Sequence, residues 1–264
     1  MAVTMAEISK LRHMTGAGLM DCKKALAEAN NDMEAAIEII RKKGQAVAAK
    51  REDREASEGC VLSESNGKFA AVVALKCETD FVAKNEGFVA LTKKILAGAM
   101  ANQAKSLDEV KAMAIDGKTV ADLIVEEIGK TGEKMELGAY ECIEAPSTVA
   151  YNHFGNKLAS IVGFNEEGVD AHVAKEVAMQ VAAMNPIAVC REEVPAKVVE
   201  QELEIARDKA REEGKPENMV DRIAQGRLNK FYKENVLMEQ EFVSDNSMDI
   251  ATYLKKQSAG LKAI

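Results

Sequence analysis

The sequence predicts an α+β fold, and three observations carry that prediction. Residues 4–43 show apolar side chains at helical spacing and nothing that alternates. From residue 56 the period changes to short strands around Asn66-Gly67, a strong hairpin signal, followed by a helix. That order recurs after residue 135, which suggests an α+β core in two related halves.

Three helices are expected first. Ile8, Leu11 and Met14 form one stripe, and Thr15-Gly16-Ala17-Gly18 breaks it. Leu19, Cys22, Ala25, Leu26 and Ala29 form the next. Asn31-Asp32 offers an N-cap for a third, with Met33, Ala36, Ile37 and Ile40 on its face. Gly44, after the basic Arg41-Lys42-Lys43, reads as its stop, and Lys50–Glu55 as a polar linker. Cys60–Ser63 and Ala70–Leu75 are the paired strands. Beyond Thr79–Lys84 comes a helix with Phe88, Leu91, Ile95 and Leu96 on one face, and 106–132 read as helical. In the second copy, Met135–Ile143 leads to Thr148–Tyr151, a turn at His153–Asn156, Leu158–Phe164, and a helix from Val169 to Met184 that Asn185-Pro186 ends. Residues 195–213 and 217–234, split by Gly214-Lys215-Pro216, predict a helical hairpin; a pair of solvated, core-packed helices fits the same pattern. Ser247 or Asp249 caps a last short helix through Lys256. The division expected is 1–54 helical domain, 55–140 first half of the core, 141–190 with 235–264 second half, and 191–234 inserted hairpin.

Composition narrows the function. With 47% hydrophobic and 30% charged residues the chain reads as globular rather than disordered. Its net charge of −8 argues against a dedicated nucleic-acid binder, and the absence of Trp argues against stacking platforms for single strands. Residues 1–54 carry ten basic and eight acidic side chains, so a helix-turn-helix reading of that segment has only +2 to hold phosphates. No run approaches the roughly 18 apolar residues of a membrane span, and MAVTMAEISK has no secretory pattern, so a cytoplasmic protein with no membrane association is expected. The five cysteines are widely spaced with no CxxC, which favours reduced thiols and no metal cage.

Enzyme motifs are missing. Asp116-Gly117-Lys118-Thr119 ends like a Walker A loop, but Ala112 holds the position of its first glycine. Gly16-Ala17-Gly18 opens like a dinucleotide fingerprint, but Asp21 holds the third glycine position. Both read as ordinary turns. No catalytic residue and no cofactor is expected; an enzyme with a site assembled from distant residues is the alternative, and turnover by the chain alone would reveal it.

Two longer motifs are specific. Met14-Thr-Gly-Ala-Gly-Leu-Met-Asp-Cys-Lys-Lys-Ala-Leu26 and Cys77-Glu-Thr-Asp-Phe-Val-Ala-Lys84 resemble, in order and spacing, the two signatures of the bacterial elongation factor Ts family. Met179–Pro186 and Gln225–Phe231 extend the resemblance along nearly the whole chain. It implies an N-terminal ubiquitin-associated-like domain, a two-part α+β core and an inserted antiparallel coiled coil. The implied function is guanine-nucleotide exchange on elongation factor Tu, with no nucleotide bound by the factor itself. The helical hairpin then has three open uses: a dimer seam, docking on the partner, or neither.

The resemblance also assigns residues. Phe81 is implied to be an exposed wedge near the partner's magnesium site, with Asp80 in contact beside it and Thr79, Val82, Ala83 and Lys84 shaping the turn. Taken alone, a Phe at a strand end reads as core; the intact motif reverses that. Leu19, Met20 and Lys23 are implied to press on a helix of the GTPase, against the plainer readings of bundle core and solvated lysine. His153 matches a family turn of His-Pro-Gly-Gly type in which Phe154 and Asn156 replace Pro and Gly, and is implied to meet a more distal domain of the partner. Many members continue with a strand after the last helix; with the chain ending Leu261–Ile264, part of the second half-core is expected to lack a partner.

Overall fold

A computed structural model describes residues 2–264. The chain opens with α1 (Met5–Thr15), α2 (Leu19–Glu28) and α3 (Met33–Arg51). Thr4 caps α1 in a reciprocal box with Glu7, satisfying amides that the first turn leaves open. Gly16, at φ 68°, ends α1 in the left-handed region that glycine adopts without strain. Ile8, Leu11, Cys22, Ala25, Leu26 and Ala36 close a small core among these helices.

One expectation fails here. Gly44 does not stop the third helix, which runs on to Arg51. Ala46, Ala48 and Ala49 beyond it are good helix formers. Arg54 then pairs with Glu78 at 2.9 Å, and Lys134 donates to the Glu52 carbonyl at 2.7 Å, so the polar run after the helix is held by specific bonds.

Next come β1 (Glu58–Ser65), β2 (Phe69–Cys77), the single turn α4 (Asp80–Ala83), α5 (Glu86–Asn102) and α6 (Leu107–Ala112). A two-residue hairpin, β3 (Ala114–Ile115) and β4 (Lys118–Thr119), leads into α7 (Val120–Thr131). Its turn is Asp116-Gly117, both at positive φ, so the Walker-like stretch is an ordinary turn. β5 (Met135–Glu144) pairs with β2, giving the sheet order β1-β2-β5. The strand read as opening the second copy therefore completes the first sheet.

After it come β6 (Ser147–Asn152), β7 (Ala159–Phe164) and α8 (Ala171–Met184), then α9 (Ala196–Glu212), α10 (Glu217–Asn235), β8 (Glu241–Phe242), β9 (Asp245–Asp249) and α11 (Ile250–Lys255). β6 and β7 form an antiparallel hairpin in register from Ser147↔Phe164 to Asn152↔Ala159. α8 packs across it, with Ser160 donating to the Ala178 carbonyl at 2.7 Å. Val162, Phe164, Val177, Leu237, Ile250 and Leu254 fill the core there. Fully buried Gln180 accepts from the Val243 amide and donates to the Glu241 carbonyl and to Gln240, which satisfies it without water. Asp249 caps α11. The last residues do find a partner: Ala263 bridges Phe164, and the Ile264 amide donates to the Gly163 carbonyl at 2.9 Å. The expected unpaired edge is thus covered by a short terminal segment along β7.

α9 and α10 lie antiparallel, with Ala206, Ala210, Val220, Ala224 and Leu228 buried along the narrow seam. Arg191 fastens its base, donating bidentately to Glu239 and lying 4.5 Å over the Tyr232 ring. The chain divides into two compact units. One reaches to Ser63 and includes Ala71–Cys142 and Phe154–Leu158; the other holds Glu64–Ala70, Ile143–His153 and Ala159–Ile264.

Candidate functional site

The second signature begins at the end of β2. Thr79, in extended conformation, caps α4 by accepting from the Val82 amide. Four further bonds fix this turn. The Thr79 amide donates to Glu133 at 3.0 Å and its hydroxyl to the same carboxylate at 2.6 Å. The Cys77 thiol donates to the Thr79 carbonyl at 3.2 Å, and Lys84 pairs with Asp80 at 2.7 Å across the turn. Ala83 is buried beneath, and Val82 half-buried.

Phe81 points the other way. Its side chain is 83% exposed, on a turn whose backbone is held on every side. An isolated exposed apolar residue is common, but a rigidly presented phenylalanine is a suitable anchor for a partner's pocket. The core reading of Phe81 does not hold. The Lys84 ammonium holds the Asp80 carboxyl below the usual range, so Asp80 is ionised beside the ring. Burial, with the Glu133 and Glu58 carboxylates next in effect, pushes the Cys77 thiol up to about 12. It stays protonated and serves as a donor, not a nucleophile.

The first signature lies elsewhere on the chain. Gly16 ends α1, Gly18 precedes α2, and Leu19 and Met20 open α2 at 41% and 58% exposed. Met14, at the end of α1, is also exposed, while the bundle core is filled by Leu11, Cys22 and Leu26. Lys23 is exposed on the same helix. Bundle packing therefore uses neither Leu19 nor Met20 as a main core residue.

His153 is exposed, and its Nδ1 lies 2.9 Å from the Tyr151 hydroxyl. The turn after it has Gly155 at φ 88° and Asn156 at φ 55°. Asparagine tolerates this region well, so the turn forms with Asn156 at a left-handed position. Sequence reasoning treated Phe154 only as a departure from the family turn. It is 98% exposed, more so than Phe81; a large apolar residue flanked by turn formers was the signal available. Among the described residues no cluster of His, Cys, Asp and Glu could hold a metal ion.

The comparisons with known proteins agree with the motifs. The profile of the family described as Elongation factor TS matches residues 78–264. The chain belongs to the elongation factor Ts family. Elongation factor Ts of Porphyromonas gingivalis is 58% identical over 265 residues, covering 100% of this chain and 96% of that protein. That of Azobacteroides pseudotrichonymphae is 55% identical, again covering 100% and 96%. That of Christiangramia forsetii is 45% identical, covering 99% and 96%. The elongation factor Ts family is one of translation elongation factors. Among the described residues no helix is long and apolar enough to cross a membrane.

Proposed function

We propose that this chain is a guanine-nucleotide exchange factor that binds elongation factor Tu carrying GDP and accelerates GDP release during translation elongation in the cytoplasm. The observation that carries the proposal is Phe81, 83% exposed on a turn that five bonds hold in place. Thr79 and Ala83 set the turn, Val82 packs its inner side, and Asp80 and Lys84 flank the ring with opposite charges. Phe81 enters an apolar pocket of the GTPase. The partner's magnesium demands near-ideal octahedral geometry with ligands at about 2.0–2.1 Å, so a small shift of its ligands weakens it. Without the metal the diphosphate loses its neutralising charge, and GDP leaves faster.

Leu19 and Met20, with Lys23, supply a second contact from the N-terminal helices, and His153 a third. In this reading the helices through residue 54 act as a tethered docking module, residues 55–140 and 141–190 with 235–264 as the two halves of the core, and 191–234 as the inserted hairpin. The factor holds no nucleotide and breaks no covalent bond; it shifts rates. The coupling is reciprocal: to the extent that the factor weakens nucleotide binding, nucleotide weakens the factor, so incoming GTP splits the complex.

The test is release of a fluorescent GDP from cognate elongation factor Tu at fixed magnesium, with the native chain and with Phe81→Ala. Strong acceleration by the native chain, largely lost in the variant, is the expected result. Acceleration equal in both would move the mechanism away from Phe81, and no acceleration with an active partner would remove the exchange function.

A further inference from the structure

Phe154 is solvated, yet residues just after it in the same turn are bonded to a strand. At 98% exposed it contributes nothing to a core. The six residues between Asn152 and Ala159 connect β6 and β7, and of these Phe154–Leu158 group with the first compact unit. Two bonds hold that segment. The Val61 amide donates to the Asn156 carbonyl at 2.7 Å, and Lys157 pairs with Glu58 at 2.7 Å. Both partners belong to β1.

The same end of β1 lies beside the base of the Phe81 turn. Gly59 sits directly against Leu75 and Lys76 of β2: a Cβ there would come 2.4 Å from the Leu75 carbonyl oxygen. Glu58 is therefore level with the last residue of β2, two residues before Thr79. Lys157 also acts on Asp80 through space. One end of the β1–β2 pair thus carries two apolar tips, Phe81 on the turn after β2 and Phe154 on the segment bonded to β1.

We infer that Phe154 is a second aromatic anchor for the same GTPase partner, gripping it beside the Phe81 wedge; the inference rests on the exchange reading above. Anchors of this kind are aromatic, presented without loss of conformational freedom, and close to the centre of contact. The two rings divide the work. Phe81 acts at the metal site and so sets the maximal exchange rate. Phe154 has no route to the nucleotide except through affinity.

That division gives the experiment. Fluorescent GDP release from elongation factor Tu is followed over a range of factor concentrations for the native chain, Phe81→Ala, Phe154→Ala and Phe154→Tyr. We expect Phe154→Ala to raise the half-saturating concentration about tenfold with the maximal rate preserved. Phe154→Tyr should stay within about threefold of native, and all variants should melt with the native chain because the ring is solvated. If the native chain gives no acceleration, the exchange reading fails and this inference with it. If the native chain accelerates release and Phe154→Ala matches it in both parameters, this inference alone fails. It also fails if Phe154→Ala leaves exchange unchanged while converting a native dimer to monomer, because the ring then meets a second copy of this chain.

Discussion

Gly44 of α3 and Gly129 of α7 meet backbone to backbone: a Cβ on Gly129 would lie 3.0 Å from the Gly44 Cα, and a Cβ on Gly44 would lie 3.2 Å from the Val125 carbonyl oxygen. Glycine inside a helix costs about 0.5–1 kcal/mol relative to alanine. Here both helices carry one at the crossing, because any side chain would hold them apart. The contact ties the third helix to α7 within one compact unit.

Gly129→Val places branched carbons against the Gly44 backbone, which has no rotamer to move aside. Overpacking of this kind costs about 1–3 kcal/mol. A fall of several degrees in the thermal midpoint is expected, at roughly 2–4 °C per kcal/mol for a chain of this size. An unchanged midpoint would mean that the crossing is not close-packed.

Glu133 holds the Phe81 turn from outside it, accepting both the amide and the hydroxyl of Thr79. Glu133→Ala removes both acceptors while leaving every residue of the signature in place. A loss on the order of 1–3 kcal/mol of local stability follows. Faster hydrogen exchange at the Val82 and Ala83 amides should report it. Under the proposed function, exchange activity should fall although Phe81 is intact; full activity with a loosened turn would show that preorganisation is not needed.

Cys77 gives the chain a pH dependence above neutrality. Its folded pKa is raised from the ordinary 9.0 to about 12, so in that window the folded chain keeps a proton that the unfolded chain loses. Stability from this group is complete below pH 9 and declines as pH rises towards about 12. Denaturation midpoints of the native chain and Cys77→Ala, compared at pH 7 and pH 10, should converge at the higher pH. A constant difference would show that the thiol does not carry the effect.

The elements legible in the sequence are those with strong local signals. Asn66-Gly67 marked its hairpin, Asn185-Pro186 closed α8, and Gly214-Lys215-Pro216 separated α9 from α10, each because the residues favour only a few backbone conformations. Where a signal has two physical uses, the sequence was ambiguous. Gly44 next to basic residues has the chemistry of a helix end, but the same missing side chain permits a helix crossing. Met135–Ile143 has strand character, yet nothing local says that it pairs backward with β2 rather than forward with β6.

The candidate site divides in the same way. The Thr79–Lys84 turn was found by its motif, and its cap and Lys84–Asp80 pair are local interactions between neighbours in the chain. Glu133 lies 54 residues away from Thr79 and carries no motif of its own. Phe154 stood in plain view, but its exposure depends on where its segment is bonded.

By itself, then, the sequence determined the secondary structure with sharp punctuation, the α+β class and the family, because these follow from backbone preferences and contiguous motifs. Only the tertiary structure decided that Gly44 lies inside a helix, that β5 joins the first sheet, that residues 263 and 264 pair with β7, and that Phe154 is solvated. Each of these depends on contacts between residues far apart in the chain, and the energy of such a contact is written in neither partner alone.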